Sequence, residues 1–105
     1  MRKLPAKVYG RHGREYKIVM TDKIRSRDPE KDGYEVLGQI DRHKRIIRIK
    51  RGMRQEDQWM ILLHELLHDM AEDFEEYDLC REIFIEFLTG DLFDCLRRNR
   101  FGFYE

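Results

Sequence analysis

Apolar and polar positions alternate in the first half of the chain, which is the pattern of β-strands with one buried face. The alternation covers residues 16–20 and again 34–40, with a β-branched run at 45–50, and a period of two is typical of half-buried strands. Polar residues with Pro and Gly at 23–33 predict a loop. Because only residues 41–44 separate the last two stretches, the sequence predicts that they form a hairpin.

After Gly52 the pattern becomes helical. Residues 55–73 contain no Gly or Pro and are strongly apolar, and acidic residues stand at the start, where the helix dipole favours them. An acidic break at 73–78 precedes a second predicted helix at about 79–98. The sequence therefore predicts an α+β fold, in which a small antiparallel sheet packs against two long helices in a single domain spanning residues 1–105.

The composition is that of a folding chain with no membrane-spanning segment. Charged residues make up 40% and hydrophobic ones 41% of 105 residues, which is too apolar for a disordered chain. The longest apolar run, Trp59 to Leu63, is far shorter than the roughly 20 residues that a bilayer requires. Cys80 and Cys95 lie in one predicted helix and would be too far apart for a disulfide. We expect free thiols, no signal peptide and a cytoplasmic protein.

The net charge of zero conceals a strong asymmetry between the two halves. Residues 1–54 contain 17 Lys and Arg against 7 Asp and Glu, a net charge of +10, whereas residues 55–105 contain 4 against 14, a net charge of −10. The halves complement each other if they pack together, and a basic face for nucleic acid is the alternative. The residues that would form that face are Arg42, Lys44, Arg45, Arg48, Lys50, Arg51 and Arg54.

The segment His64-Glu65-Leu66-Leu67-His68 matches the H-E-x-x-H pattern and lies inside the first predicted helix. Residues four positions apart share one helical face, so both imidazoles can bind a single cation. Glu65 is rotated by about 100° from His64, which brings it near a metal-bound water as a general base. The pattern predicts a catalytic metal centre, and paired imidazoles favour zinc.

A third protein ligand is expected, because catalytic zinc usually has three ligands and a water. No histidine follows His68, and the other two lie far upstream. Glu86 is the preferred carboxylate, because it stands among the apolar residues of 83–88 and a carboxylate there requires a cation or a hydrogen-bonded partner. Glu82, one turn earlier, is the alternative ligand or a group that orients one.

These features together resemble the ImmA/IrrE-like zinc metallopeptidases of the gluzincin type, many of which are small bacterial or phage proteins. The resemblance covers roughly residues 14–99, including the Gly-x-Ile-Asp segment at 38–41 and Ile61-Leu-Leu-His-Glu-Leu-Leu-His68. In that family the ligand glutamate lies on the next helix, and Glu86 matches its placement. The resemblance implies a minimal zincin-like fold and a zinc peptidase with Glu65 as the base.

We therefore predict a Zn²⁺-dependent endopeptidase that hydrolyses peptide or protein substrates through a metal-activated water, with His64, His68 and Glu86 as ligands and Glu65 as the base. The alternatives are a zinc-stabilised interaction module with weak or no catalysis and a metal-binding regulator associated with DNA. No membrane partner is expected. The aromatic tail at 101–105 is expected either to cover the protein's own core or to mediate self-association.

Overall fold

The alternating segments of the first half form one sheet in the computed structural model, which describes residues 2–25, 36–71 and 82–98. The sheet has four strands in the order β1-β2-β4-β3. They are β1 (Lys7–Tyr9), β2 (Glu15–Thr21), β3 (Gly38–Asp41) and β4 (Ile46–Lys50). Both strands of the predicted hairpin are present, and β3 pairs antiparallel with β4.

The sheet is mixed, so the prediction of an antiparallel sheet is wrong for its central pair. Strands β2 and β4 run parallel, with Ile18 beside Ile47. Residues 22–37 connect β2 to β3, and a connection of this length can carry the chain across the sheet before it reverses. Strand β3 lies at the outer edge of the sheet. Strand β4, which follows it, therefore lies between β3 and β2 and runs parallel to β2. The α+β class itself is confirmed.

Strand β1 was not predicted, because three residues are too few to establish an alternating pattern. Val8 is partly buried between exposed Lys7 and Tyr9, and β1 pairs antiparallel with the outer edge of β2. A single 3-10 turn at Arg11–Gly13 joins the two strands. His12 in this turn has a φ of 56°, the left-handed region in which non-glycine residues are uncommon.

Two helices follow the sheet, as the sequence predicts. They are α1 (Gln55–Ala71) and α2 (Glu82–Arg98). The predicted start of the second helix at residues 79–81 lies outside the described residues, as do Cys80 and the aromatic tail. Cys95 is exposed and forms no disulfide among the described residues. Within the described ranges, neither helix has the length and apolar character needed to cross a membrane.

The core lies between one face of the sheet and α1. Tyr16, Ile47, Ile49 and Leu62 are almost completely buried there, and burying each such side chain contributes about 1.5–3 kcal/mol. Helix α2 packs against α1 and buries residues spaced four apart, namely Ile85, Thr89 and Phe93. Helix α1 is therefore the element that contacts both the sheet and the second helix.

Candidate metal centre

Two histidines of α1 form the centre of the candidate site. His64 and His68 lie one helical turn apart, and their Nε2 atoms are separated by 3.1 Å. The ring centroids are 4.8 Å apart and the ring planes meet at 69°. Both side chains are partly buried, so each presents one nitrogen to a shared point while the rest of the ring packs against protein.

Glu82 brings a carboxylate to the same point. Its Oε1 atom lies 2.7 Å from Nε2 of His64, and its Oε2 atom lies 2.9 Å from Nε2 of His68. Glu82 is the first residue of α2 and stands seven positions before the buried Thr89, on the same side of the helix. The packing of α2 on α1 therefore determines that this glutamate faces the two histidines.

Glu86, the ligand expected from the sequence, is not a member of this cluster. The expectation depended on an apolar environment, but the Glu86 side chain is exposed and so are its neighbours Phe84, Phe87 and Leu88. A solvated carboxylate needs no cation to balance it, so the premise of that assignment is wrong. Among the described residues, the alternative candidate Glu82 is the carboxylate that meets both histidines.

The donor set fits a zinc ion in both chemistry and spacing. Two imidazole nitrogens and one carboxylate oxygen form the His₂Glu set of catalytic zinc sites, which keep a further position open. Two nitrogens bound at 2.0–2.1 Å with a tetrahedral angle would lie about 3.3 Å apart, close to the 3.1 Å between the two Nε2 atoms. Half of the Glu82 side chain is exposed, so the cluster is open to solvent on the α2 side.

The charges around the cluster favour a cation. Burial alone would lower the pKa of His64, but the hydrogen bond and negative charge of Glu82 outweigh it, and Glu65 and Glu86 raise this pKa further. The hydrogen bonds from both histidines hold the pKa of Glu82 far below its ordinary value, against the effect of its burial. The site therefore concentrates negative charge around two nitrogen donors.

Glu65 lies behind the cluster on the sheet side of α1. Its side chain is almost completely buried, and the backbone N–H of Ile40 in β3 donates a hydrogen bond to its carboxylate. Burial raises the pKa of Glu65, although the neighbouring histidines act in the opposite direction. A carboxylate with a raised pKa is a better proton acceptor than one in water, which suits a general base.

Gly38 allows β3 to approach Glu65, and the sequence analysis assigned it no role. A Cβ atom at this position would collide with Cγ2 of Ile61 and would come within 3.4 Å of Oε1 of Glu65. Only glycine permits so close an approach of backbone to helix. The available signal was a glycine at an inward-facing position of a predicted strand.

The chain was compared with protein families, with curated proteins and with solved structures. None of the three comparisons finds a match. The candidate site must therefore be interpreted from its own residues, namely the H-E-x-x-H segment of α1 and the glutamate at the start of α2.

Proposed function

We propose that this protein is a zinc-dependent metallopeptidase that acts in the cytoplasm. The observation that carries the proposal is the convergence of His64, His68 and Glu82 within hydrogen-bond distance, with the buried Glu65 on the same turn of α1. The sequence resemblance to ImmA/IrrE-like peptidases supports the same function. In place of Glu86, the proposal assigns Glu82 as the third ligand.

The residues of the site have two roles in this proposal, metal binding and proton transfer. His64, His68 and Glu82 hold the zinc ion, which when bound polarises the scissile carbonyl and makes a water molecule acidic. Glu65 accepts the proton from the attacking water and returns it to the leaving amine, since burial keeps its pKa above the ordinary value. Separate groups thus perform metal binding and proton transfer.

The position of β3 at the edge of the sheet favours a peptide substrate. β3 is an outer strand, and the Ile40 N–H that donates to Glu65 points away from β4. Because residues two apart in a strand point the same way, the backbone groups of Gly38 face the same edge. An extended peptide added to this edge would lie beside Glu65 and the metal cluster, held by main-chain hydrogen bonds.

The test is a matched set of variants of the full chain, assayed for zinc content and for cleavage of an unfolded protein substrate. Glu65→Gln should retain zinc and lose activity by at least about 100-fold, because only the proton acceptor is removed. His64→Ala should lose both zinc and activity. His43→Ala, which removes an exposed histidine, is the control and should lose neither.

Three results would refute the proposal. If the wild-type protein binds no zinc, hydrogen bonds from protonated histidines to Glu82 explain why these three side chains lie together. Full activity in Glu65→Gln would show that the measured cleavage does not depend on this site. Bound zinc without any cleavage would favour the alternative of a zinc-stabilised interaction module.

Nucleic-acid binding is a second candidate, and one observation favours it. The sheet face opposite α1 presents Lys17, Arg48 and Lys50, which alternate along β2 and β4 with the core residues. Asp41 lies 3.9 Å from Arg48 and offsets part of that charge. Salt-dependent binding of random duplex DNA that weakens in Lys17→Glu would support this function.

A further inference from the structure

Asp69, the residue that follows His68, is a completely buried carboxylate. The Tyr16 hydroxyl donates to its Oδ1 atom at 2.7 Å, and the Arg11 backbone N–H donates to its Oδ2 atom at 2.7 Å. Two guanidinium groups complete its surroundings, with Arg14 Nη1 at 3.5 Å and Arg42 Nε at 3.4 Å from Oδ1. The carboxylate therefore joins α1 to the connection between β1 and β2, to β2 itself and to the turn between β3 and β4.

Hydrogen-bond donors and positive charges surround the buried Asp69 carboxylate. Burial alone would raise the pKa of Asp69, but the hydrogen bonds from Arg11 and Tyr16 and the charges of Arg14 and Arg42 outweigh it, so the pKa is lowered. A Cβ atom at position 10 would collide with Oδ2 of Asp69, so glycine there makes room for the carboxylate. A buried charge needs such complete pairing, because the loss of one partner is strongly destabilising.

Two of these arginines, Arg42 and Arg11, also contact backbone carbonyls of α1 next to Asp69. Arg42 Nη2 donates to the carbonyl oxygen of His68 at 3.1 Å, and Arg11 Nη1 donates to that of Met70 at 3.4 Å. Both carbonyls lie in the turn of α1 that contains His68 and Asp69. His68 is thus a candidate ligand in a turn of α1 whose backbone carbonyls accept hydrogen bonds from the guanidinium groups of Arg42 and Arg11.

We propose that Arg42 is a positioning residue for His68: together with Asp69 it holds this turn of α1 so that the His68 imidazole meets His64 and Glu82. This inference rests on the proposed function, because it assigns His68 as a metal ligand. Neither residue is catalytic, since neither is part of the cluster. The Asp69 side chain bonds this turn to Tyr16 of the sheet. The Arg42 guanidinium pairs with the Asp69 carboxylate and donates a hydrogen bond to the His68 carbonyl.

The test compares two arginines that reach the same carboxylate. Arg42→Gln removes both the ion pair with Asp69 and the guanidinium hydrogen bond to the His68 carbonyl. Arg14→Gln removes a guanidinium at a similar distance from Asp69 and leaves the Arg42–His68 hydrogen bond in place. Both variants should unfold at a lower temperature. Only Arg42→Gln should also weaken zinc binding, by about 10-fold or more, as expected for a group that orients a metal ligand. Zinc affinity is measured by competition with a chelator at a temperature where both variants are folded.

Arg42→Lys keeps a charged donor and should recover part of the affinity. Equal zinc affinity in Arg42→Gln and Arg14→Gln would overturn the positioning role and leave a structural role alone. Wild-type protein without zinc would overturn both proposals. Zinc binding without peptidase activity would overturn the proposed function only, and the affinity comparison would still decide the role of Arg42.

Discussion

Helices α1 and α2 each span 17 described residues, but they bury very different side chains. Helix α1 buries Leu62, Leu67 and two carboxylates, Glu65 and Asp69, between the sheet and α2. Helix α2 buries a line of residues toward α1 and leaves three large apolar side chains, Phe84, Phe87 and Leu88, at least 38% exposed. The first helix is fixed on several sides, whereas the described contacts of the second are mainly with its partner helix.

This difference matters for the candidate metal centre, because the three candidate ligands are divided between the helices. The relative position of His64 and His68 follows from helix geometry and from a buried core. The position of Glu82 depends on how one helix packs against another. The histidine pair is therefore the rigid part of the site, and the carboxylate is the part that packing must bring to it.

The largest expected effect is on zinc binding, and it tests which residue of α2 completes the site. Glu82→Ala should remove an oxygen ligand and abolish stoichiometric zinc binding. Glu86→Ala should reduce zinc affinity only slightly, since Glu86 contributes charge near His64 without joining the cluster. Elemental analysis and chelator competition measure both. A larger loss in Glu86→Ala would restore the assignment made from the sequence and require a different register of α2.

The next effect compares a buried position of α1 with an exposed position of α2. Leu62→Ala should lower the free energy of unfolding by about 2–5 kcal/mol, because it leaves a cavity between α1 and the sheet. Phe87→Ala, at a position 70% exposed, should change it by less than about 0.5 kcal/mol. Urea unfolding of the zinc-free chain measures both. A large loss in Phe87→Ala would mean that this face of α2 is covered in solution.

A smaller effect is expected where β3 meets α1. Gly38→Ala should cost about 1–3 kcal/mol, because the new methyl group overlaps Ile61 and β3 must move away. The movement also displaces the Ile40 N–H from Glu65, so peptidase activity should fall while zinc content is maintained. Unfolding and activity assays on the same preparation check the two parts separately, and unchanged activity would remove β3 from the substrate site.

The smallest effect concerns Gly90 on α2. This glycine is exposed in the middle of the helix, and a Cβ atom there would have no neighbour within 4 Å. Gly90→Ala should raise the free energy of unfolding by up to about 1 kcal/mol, the difference in helix propensity. Thermal unfolding of the zinc-free chain measures it. A destabilised variant would show that another group approaches Gly90 closely.

Local patterns predicted the elements of this fold well. The alternation at 16–20 and the β-branched run at 45–50 correspond to β2 and β4, and the Gly- and Pro-free apolar segment from residue 55 corresponds to α1. The order and direction of the strands were not predictable in the same way. The parallel pairing of β2 with β4 joins residues far apart in the chain, such as Ile18 and Ile47, and an alternating pattern is the same for parallel and antiparallel strands.

The same distinction applies to the site. The i, i+4 spacing fixed the relation of His64 to His68, because it depends on one helix alone. The choice between Glu82 and Glu86 depends on which face of α2 is buried. In the segment 82–88 every residue other than these two glutamates is apolar, so periodicity does not define a face. The observed face contains Ile85, Thr89 and Phe93, and only packing against α1 selects it.

The division of ligands between two helices also links the metal to the local unfolding of α2. An ion held by His64, His68 and Glu82 cross-links the helices, so α2 can open away from α1 only when the ion loses a ligand. Zinc at 100 times its dissociation constant would oppose such opening by about 2.7 kcal/mol. Amide hydrogens of α2 that exchange through this opening would then exchange about 100-fold more slowly, whereas those limited by local fraying would be unaffected.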